Sequence, residues 1–197
     1  MKGNSKMKIV CIGDSLTYGY GVDVKQSWIH KANDLTQYQL VNCGVPGDVT
    51  ENMLRRFRDD ILGTNVKGIV VMGGSNDILM NLPYDSMVTN LQSILKTAQK
   101  AGLKGMWMTP PPVNEYIQNK TWFADRNYSE VNIKLKQLDK EMKSWCNEHQ
   151  FTVVNLFECI NIERHEALYL NDGIHLTPEG HDLLVPMISD SLKEMMK

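Results

Sequence analysis

Ser15 is the first residue of this sequence equipped for chemistry. It stands in Gly13-Asp14-Ser15-Leu16, directly after the apolar run Met7-Lys8-Ile9-Val10-Cys11-Ile12. Such a run reads as a buried parallel strand, and open α/β sheets bind ligands at the carboxyl ends of their strands. A serine there would face substrate. A serine hydroxyl is a weak nucleophile until a neighbouring base takes its proton, so the rest of the chain must supply a base, a group to orient it and donors for a developing oxyanion.

The base is read from Asn171-Asp172-Gly173-Ile174-His175-Leu176-Thr177-Pro178. Thr177 as N-cap and Pro178 as first helical residue predict a final helix, which leaves Asp172 and His175 on the loop before it. Across a glycine-containing turn the carboxylate would reach imidazole Nδ1, leaving Nε2 to accept the Ser15 proton. The acid would fix the tautomer and stabilise the imidazolium. His181 is the rival base, but it falls in the first turn of the last helix without an acid at the same spacing. His30, His149 and His165 stand in polar contexts with no partner pattern and read as surface residues.

Two glycine-rich turns follow further predicted strands. Gln39–Cys43 ends in Gly44-Val45-Pro46-Gly47-Asp48, and Gly68–Met72 ends in Gly73-Gly74-Ser75-Asn76-Asp77. A tetrahedral intermediate needs pre-positioned donors, for which a Gly47 N–H and an Asn76 side-chain amide are suitable. Asp48 with Glu51 reads as a capping box, placing Gly47 near a helix N-terminus where negative charge is favoured. Each motif alone has a plainer reading: Gly-Asp-Ser as turn chemistry, Asp172 as an Asx-turn beside a surface histidine, the glycines as turn formers, Asn76 as a cap. Ser75 has no better claim on a base than Ser15.

The four blocks together resemble the GDSL or SGNH hydrolases. Gly13-Asp14-Ser15-Leu16 is similar to the first block, Gly47-Asp48 to the second, Gly74-Ser75-Asn76-Asp77 to the third and Asp172-Gly173-Ile174-His175 to the last. The resemblance implies Ser15 as nucleophile, His175 as base, Asp172 as its orienter, and an oxyanion hole from the Ser15 N–H, the Gly47 N–H and the Asn76 amide. Gly44 is the alternative to Gly47, which is preferred because Asp follows it as in the family pattern. Thr17 breaks the Gly-x-Ser-x-Gly elbow, and the close spacing of Asp172 and His175 also departs from the α/β-hydrolase order.

Strands near 7–12, 39–43, 66–72, 104–109 and 151–155 alternate with helical patterns near 26–37, 48–62, 84–101, 127–148 and 178–195. Tyr128, Val131, Leu135, Leu138, Met142 and Trp145 recur at helical spacing, as do Leu183, Leu184, Met187, Ile188 and Leu192. The alternation predicts one domain over 1–197: a three-layer α/β/α, flavodoxin-like doubly wound parallel sheet of five strands in order 2-1-3-4-5. That order would bring Ser15, Gly47 and Asn76 to one rim.

At 197 residues the chain is long enough to bury a full core. A net charge of −2 and a pI near 6.2 argue against a nucleic-acid partner. Arg55, Arg56 and Arg58, beside Asp59 and Asp60, read as a solvated helix face, and so does the lysine-rich stretch from Lys134 to Lys143. Cys11, Cys43, Cys146 and Cys159 lack Cys-x-x-Cys spacing and read as buried thiols of a reducing compartment. With no apolar run of ~18 residues and no signal-like start, a cytoplasmic protein without a membrane span is expected.

The long connection from Pro110 to Asp125 carries Tyr116, Trp122 and Phe123, candidates to line a substrate groove or to anchor the loop; Tyr18 and Tyr20 carry the same pair of readings. The expected reaction is hydrolysis of a small-molecule carboxylic ester or thioester of a small to medium acyl group, with no metal or other cofactor. An O-acetylated carbohydrate is the alternative substrate, and lysophospholipid cleavage stays open. A phosphate- or nucleotide-binding module without catalysis is a separate reading, but the chain has no Gly-x-x-x-x-Gly-Lys-Ser/Thr loop, and Gly19 and Gly21 lack a third glycine. A metal hydrolase using Asp14, Asp172 and His175 is a third, without a paired ligand motif.

Overall fold

The computed structural model describes residues 6–61, 66–117, 122–160 and 166–197. Five strands form one parallel sheet: β1 (Met7–Gly13), β2 (Tyr38–Gly44), β3 (Val66–Met72), β4 (Lys104–Met108) and β5 (Thr152–Val154), in the order β2-β1-β3-β4-β5. The helices are α1 (Ser15–Tyr18), α2 (Trp28–Leu35), α3 (Thr50–Ile61), α4 (Ser75–Leu79), α5 (Tyr84–Lys100), α6 (Tyr128–Glu148), α7 (Leu156–Cys159) and α8 (Pro178–Met195). Each long element lies within three residues of its expected bounds.

Alternation along the strands makes three layers. Val10, Ile12, Ile69, Val71 and Trp107 point to one face and pack with residues of α3, α5 and α6; Ile9, Cys11, Val70, Met72, Met106 and Met108 point to the other and pack with α2 and α8. A strand buried on both faces has no solvent side, which is why β1 reads as a continuous apolar run. The helical stripe of α6 behaves as its spacing predicts: Tyr128, Val131, Leu135, Leu138 and Met142 are buried and Trp145 is partly so.

Register fixes the place of the site. Gly13 at the end of β1 pairs with Gly44 of β2 on one side and Met72 of β3 on the other. Three strands therefore end level, and the loops leaving them start from one edge. The connections from β1 and β3 run to opposite sides there, the crevice at which doubly wound sheets hold ligands. The cysteines depart from expectation. Cys11 and Cys146 are buried, but Cys43 is half-buried near the end of edge strand β2 and Cys159 is exposed.

Candidate active site

Ser15 is carried by a turn that tolerates no side chain at its base. A Cβ on Gly13 would collide with Thr17 Oγ1 and the Met72 carbonyl, so glycine alone lets β1 end this close to β3 and α1. Asp14 then caps the short helix α1, its Oδ1 accepting the Leu16 N–H at 2.9 Å. Ser15 follows as the first helical residue, 8% exposed. Burial raises the Asp14 carboxyl to about 6 against the Leu16 hydrogen bond and the attraction of His175, which lower it.

The loop before α8 brings the base across 160 residues of sequence. His175 Nε2 lies 2.8 Å from Ser15 Oγ, and its Nδ1 lies 2.7 Å from Asp172 Oδ2. Asp172 serves two ends at once. Its Oδ1 accepts the backbone N–H groups of Ile174 and His175 at 2.8 and 2.9 Å, an Asx-turn, while Oδ2 holds the imidazole. The plain turn reading and the orienting reading of Asp172 thus describe two oxygens of one carboxylate. Burial pushes this carboxyl up, but the His175 ring and the two backbone donors outweigh it and hold it below its ordinary value. The Thr177 side chain caps α8 through the Gly180 N–H, with Pro178 at the start of the helix.

Across from this pair, the turn after β2 separates the two candidate glycines. Gly44 N–H is held by Asn42 Oδ1 at 2.9 Å, and its Cα packs so tightly on the α1 backbone that a Cβ would meet Tyr18 N and Asp14 O. Gly47, at φ +82°, lines the same cavity as Ser15, Asn76 and His175. Asn76 donates one amide hydrogen to the Asp48 carbonyl at 2.9 Å, so the β3 and β2 turns are tied together beside Ser15.

Among the described residues no bond of the expected capping box between Asp48 and Glu51 is found. Asp48 Oδ2 instead accepts Arg56 Nε at 2.6 Å, and the start of α3 is capped from elsewhere: the Asp77 carboxylate takes the Thr50 N–H at 3.0 Å and the Thr50 hydroxyl at 2.6 Å. A guanidinium two turns along the helix is a stronger partner for Asp48 than a single backbone N–H. Arg56 is accordingly not part of a solvated face; it is 21% exposed, whereas Arg55 and Arg58 are exposed. Ser75 is buried, and its hydroxyl has no hydrogen-bond partner among the described residues.

A cavity of about 290 Å³ opens over these groups, lined by Ser15, Tyr20, Pro46, Gly47, Asn76, Met80, Trp122, Phe123, Ile174 and His175. Trp122 and Phe123 are among the residues that line it. Tyr116 is 52% exposed and is not among the described lining residues, its backbone N–H being held by Asn114 Oδ1. Tyr18 is also exposed and outside the lining, whereas Tyr20 lines the cavity and lies against the His175 ring. Pro46, Met80 and Ile174 were not singled out from sequence, because an apolar residue beside a motif looks the same whether it packs in the core or faces substrate. The Tyr128 hydroxyl, 2.9 Å from the Trp122 carbonyl and 3.1 Å from the Asp172 carbonyl, braces wall and acid loop together. A larger depression of about 650 Å³ lies around Lys104 and Thr152, at the opposite ends of β4 and β5, and contains none of these groups.

Three other histidines do not converge here. His181 is 1% exposed; its Nδ1 accepts the Trp28 N–H at 3.3 Å, and burial lowers its pKa to about 4. His30 is partly buried beside Asp34, and His149 stacks on Trp145. His165 lies outside the described residues. Among those residues, no three His, Cys, Asp or Glu side chains are grouped so as to hold a metal ion, and no helix is long and apolar enough to cross a membrane.

The fold is three-layer α/β/α, a doubly wound parallel sheet with a serine, a histidine and an acid brought together at one edge. Residues 11–183 match the GDSL-like Lipase/Acylhydrolase family, and the chain belongs to that family of ester hydrolases. It is 23% identical over 194 residues to an arylesterase of Vibrio mimicus, spanning 94% of this chain and 88% of the relative. It is 28% identical over 127 residues to the uncharacterized lipoprotein YqeF of Bacillus subtilis (strain 168), spanning 58% of this chain and 52%, about half, of that relative. A lipase/acylhydrolase from Enterococcus faecalis shares the fold at a TM-score of 0.79 and 23% identity, with 97% of each chain covered. The psychrotrophic esterase EstA from Pseudoalteromonas sp., in a structure inhibited by monoethylphosphonate, does so at 0.71 and 21%, covering 95% of this chain and 97% of EstA.

Proposed function

We propose that this chain is a serine esterase that cleaves carboxylic esters of small to medium acyl groups through an acyl-enzyme on Ser15. The observation that carries the reading is the continuous hydrogen-bonded line from Ser15 Oγ through His175 to Asp172, at 2.8 and 2.7 Å. Ser15 Oγ attacks the ester carbonyl carbon as its proton passes to His175 Nε2, and the Asp172 carboxylate stabilises the imidazolium. The oxyanion is received by the Ser15 and Gly47 N–H groups and the Asn76 amide. His175 then gives its proton to the departing alkoxide. A water, deprotonated by the same imidazole, attacks the acyl-enzyme; the bond from the acyl carbon to Ser15 Oγ breaks, His175 returns the proton to that oxygen, and the carboxylic acid leaves.

The acyl preference rests on the cavity. Pro46, Met80, Trp122, Phe123 and Ile174 surround the reacting groups with apolar surface in about 290 Å³, which suits an acyl or aryl group better than a sugar ring with many hydroxyls to satisfy. Thioesters fit the same chemistry. The family match covers nearly the whole chain, and we read 1–197 as one domain. The absence of a disulfide among the four cysteines suits a reducing compartment, and the cytoplasm is the location we assign.

Intact-mass spectrometry after fluorophosphonate treatment tests the reading, on wild type and Ser15→Ala, with a p-nitrophenyl ester panel alongside. A single adduct lost in the variant, with turnover down at least ~10⁴-fold, is the expected result. No adduct on folded wild type would overturn it, and preference for an acetylated sugar over every acyl or aryl ester would overturn the substrate class.

A further inference from the structure

Resting on that esterase reading, we infer that Arg56 is a positioning residue that sets the spacing of the three oxyanion donors. Its guanidinium bridges two turns. Nε donates to Asp48 Oδ2 at 2.6 Å and Nη2 donates to the Gly13 carbonyl at 2.9 Å. Each end of that bridge leads to a donor. Gly13 is two residues before Ser15, on the turn that presents the Ser15 N–H, and its carbonyl also accepts the Val45 N–H at 3.0 Å. Asp48 follows Gly47, and its own carbonyl accepts the Asn76 amide at 2.9 Å. One side chain therefore joins the β1 turn to the β2 turn, and Asp48 passes the constraint to the β3 turn.

The chemistry of the side chain suits this task. Arginine offers several donors in a rigid planar fork, so two acceptors on different segments fix its orientation and are fixed by it. Arg56 and Asp48 are mostly buried, at 21% and 10% exposed, where the pair is little weakened by solvent. Gly47 needs such support. It has φ +82°, and a Cβ placed on it would meet nothing within 4 Å among the described residues, so the turn is held by the Asp48 N–H on the Val45 carbonyl at 3.1 Å and not by packing on that side of its Cα. The direction of the Gly47 N–H depends on the neighbours that anchor Asp48. Arg56 is not among the described residues that line the cavity, and it acts through the turns it joins.

The predicted signature is a loss in turnover without a loss in ground-state binding. Oxyanion donors act on charge that develops in the transition state, and a misplacement of about 1 Å costs on the order of 100-fold. Arg56→Gln should lower kcat by about 10–100-fold on a p-nitrophenyl ester while KM moves by less than about threefold. Lysine presents one ammonium that cannot reproduce the fork, so Arg56→Lys should fall in the same direction and provides the reading if Arg56→Gln does not fold. The deciding measurement is the double-mutant cycle with Asn76→Ala. If Arg56 works through the oxyanion site, adding Arg56→Lys to Asn76→Ala should cost much less than it costs wild type. Wild-type kcat in the folded variants, a change confined to KM, or losses that multiply independently would overturn the inference. Fluorophosphonate labelling of wild-type Ser15 separates the two failures, since a labelled wild type with an inert Arg56 sinks this inference alone.

Discussion

The rings of Tyr20 and His175 lie with centroids 4.6 Å apart and planes at 43°. The imidazole, held at its two nitrogens by Ser15 and Asp172, is thus also held through its ring by a residue that lines the cavity. Aromatic contacts of this kind contribute about 0.5–1.5 kcal/mol. Tyr20→Ala should therefore lower kcat/KM roughly 2–10-fold, and Tyr20→Phe, which keeps the ring, should stay near wild type. Steady-state kinetics on one ester decides it.

The two tasks of Asp172 can be separated. In Asp172→Asn the amide oxygen can still accept the Ile174 and His175 N–H groups, but an NH₂ would face Nδ1 and force the wrong tautomer. Turnover should fall by about 10⁴-fold with the melting temperature nearly kept. Asp172→Ala should lose both, falling as far in turnover and melting several degrees lower. Equal melting temperatures for the two variants would contradict the dual role.

Asp14 makes stability depend on pH in an unusual direction. Its carboxyl is raised by burial from 3.8 to about 6, so the folded protein holds this proton more tightly than the unfolded chain. The buried charge therefore costs stability above pH 6, and the cost fades as pH falls toward 3.8. Asn can keep the cap to Leu16 without the charge. Asp14→Asn should stabilise the fold at pH 8 by up to ~3 kcal/mol, with the gain gone below pH 4, as read by denaturant unfolding at several pH values. Because the carboxylate also attracts His175, activity at pH 8 should fall as stability rises.

His181 works in the opposite sense. Burial lowers it from 6.5 to about 4, so between those values the unfolded chain takes up a proton that the folded protein refuses. Its neutral state carries no penalty above pH 6.5, and stability drains away as pH falls to 4, by up to ~3 kcal/mol. His181→Gln offers an oxygen to the Trp28 N–H and should remove this slope. The stability difference between wild type and variant should shrink steadily from pH 7 to 4, and an unchanged difference would refute the assignment.

Two glycines should answer differently to alanine. Gly13→Ala has no room beside Thr17 and Met72, and loss of the folded state is the expected outcome. Gly47→Ala has room but a left-handed backbone, so it should fold with a modest loss of about 1 kcal/mol and lose turnover as the N–H shifts. Circular dichroism and kcat measured together distinguish the two.

Strand order and helix bounds were legible because burial leaves a period in the sequence. Val10 and Ile12 feed one core, Ile9 and Cys11 the other, and α6 repeats its buried residues at helical spacing. Ser15, Gly47 and Asn76 were legible as motifs at strand ends, and Asp172 and His175 as a loop motif before the last helix; Ser15, Gly47, Asn76 and His175 line one cavity, with Asp172 bonded to His175. Arg56 was not, because Asp48 and Arg56 are joined by a bond whose alternative, a local cap, looks equally good in one dimension. Asp77 capping Thr50 was missed for the same reason, its partner lying 27 residues away. Tyr116 stands outside the described lining, since aromatic composition marks a loop without saying which side chain turns inward.

The distance in sequence between Ser15 and His175 also orders events in time. A chain emerging from the ribosome carries Ser15, Gly47 and Asn76 long before residues 172 and 175 have been made, and during that interval the serine hydroxyl has no base beside it. On the proposed mechanism, reactivity toward electrophiles would be withheld until residues 172 and 175 join Ser15 at the sheet edge. Synthesis itself delays the meeting of Ser15 and His175 until residue 175 has been made.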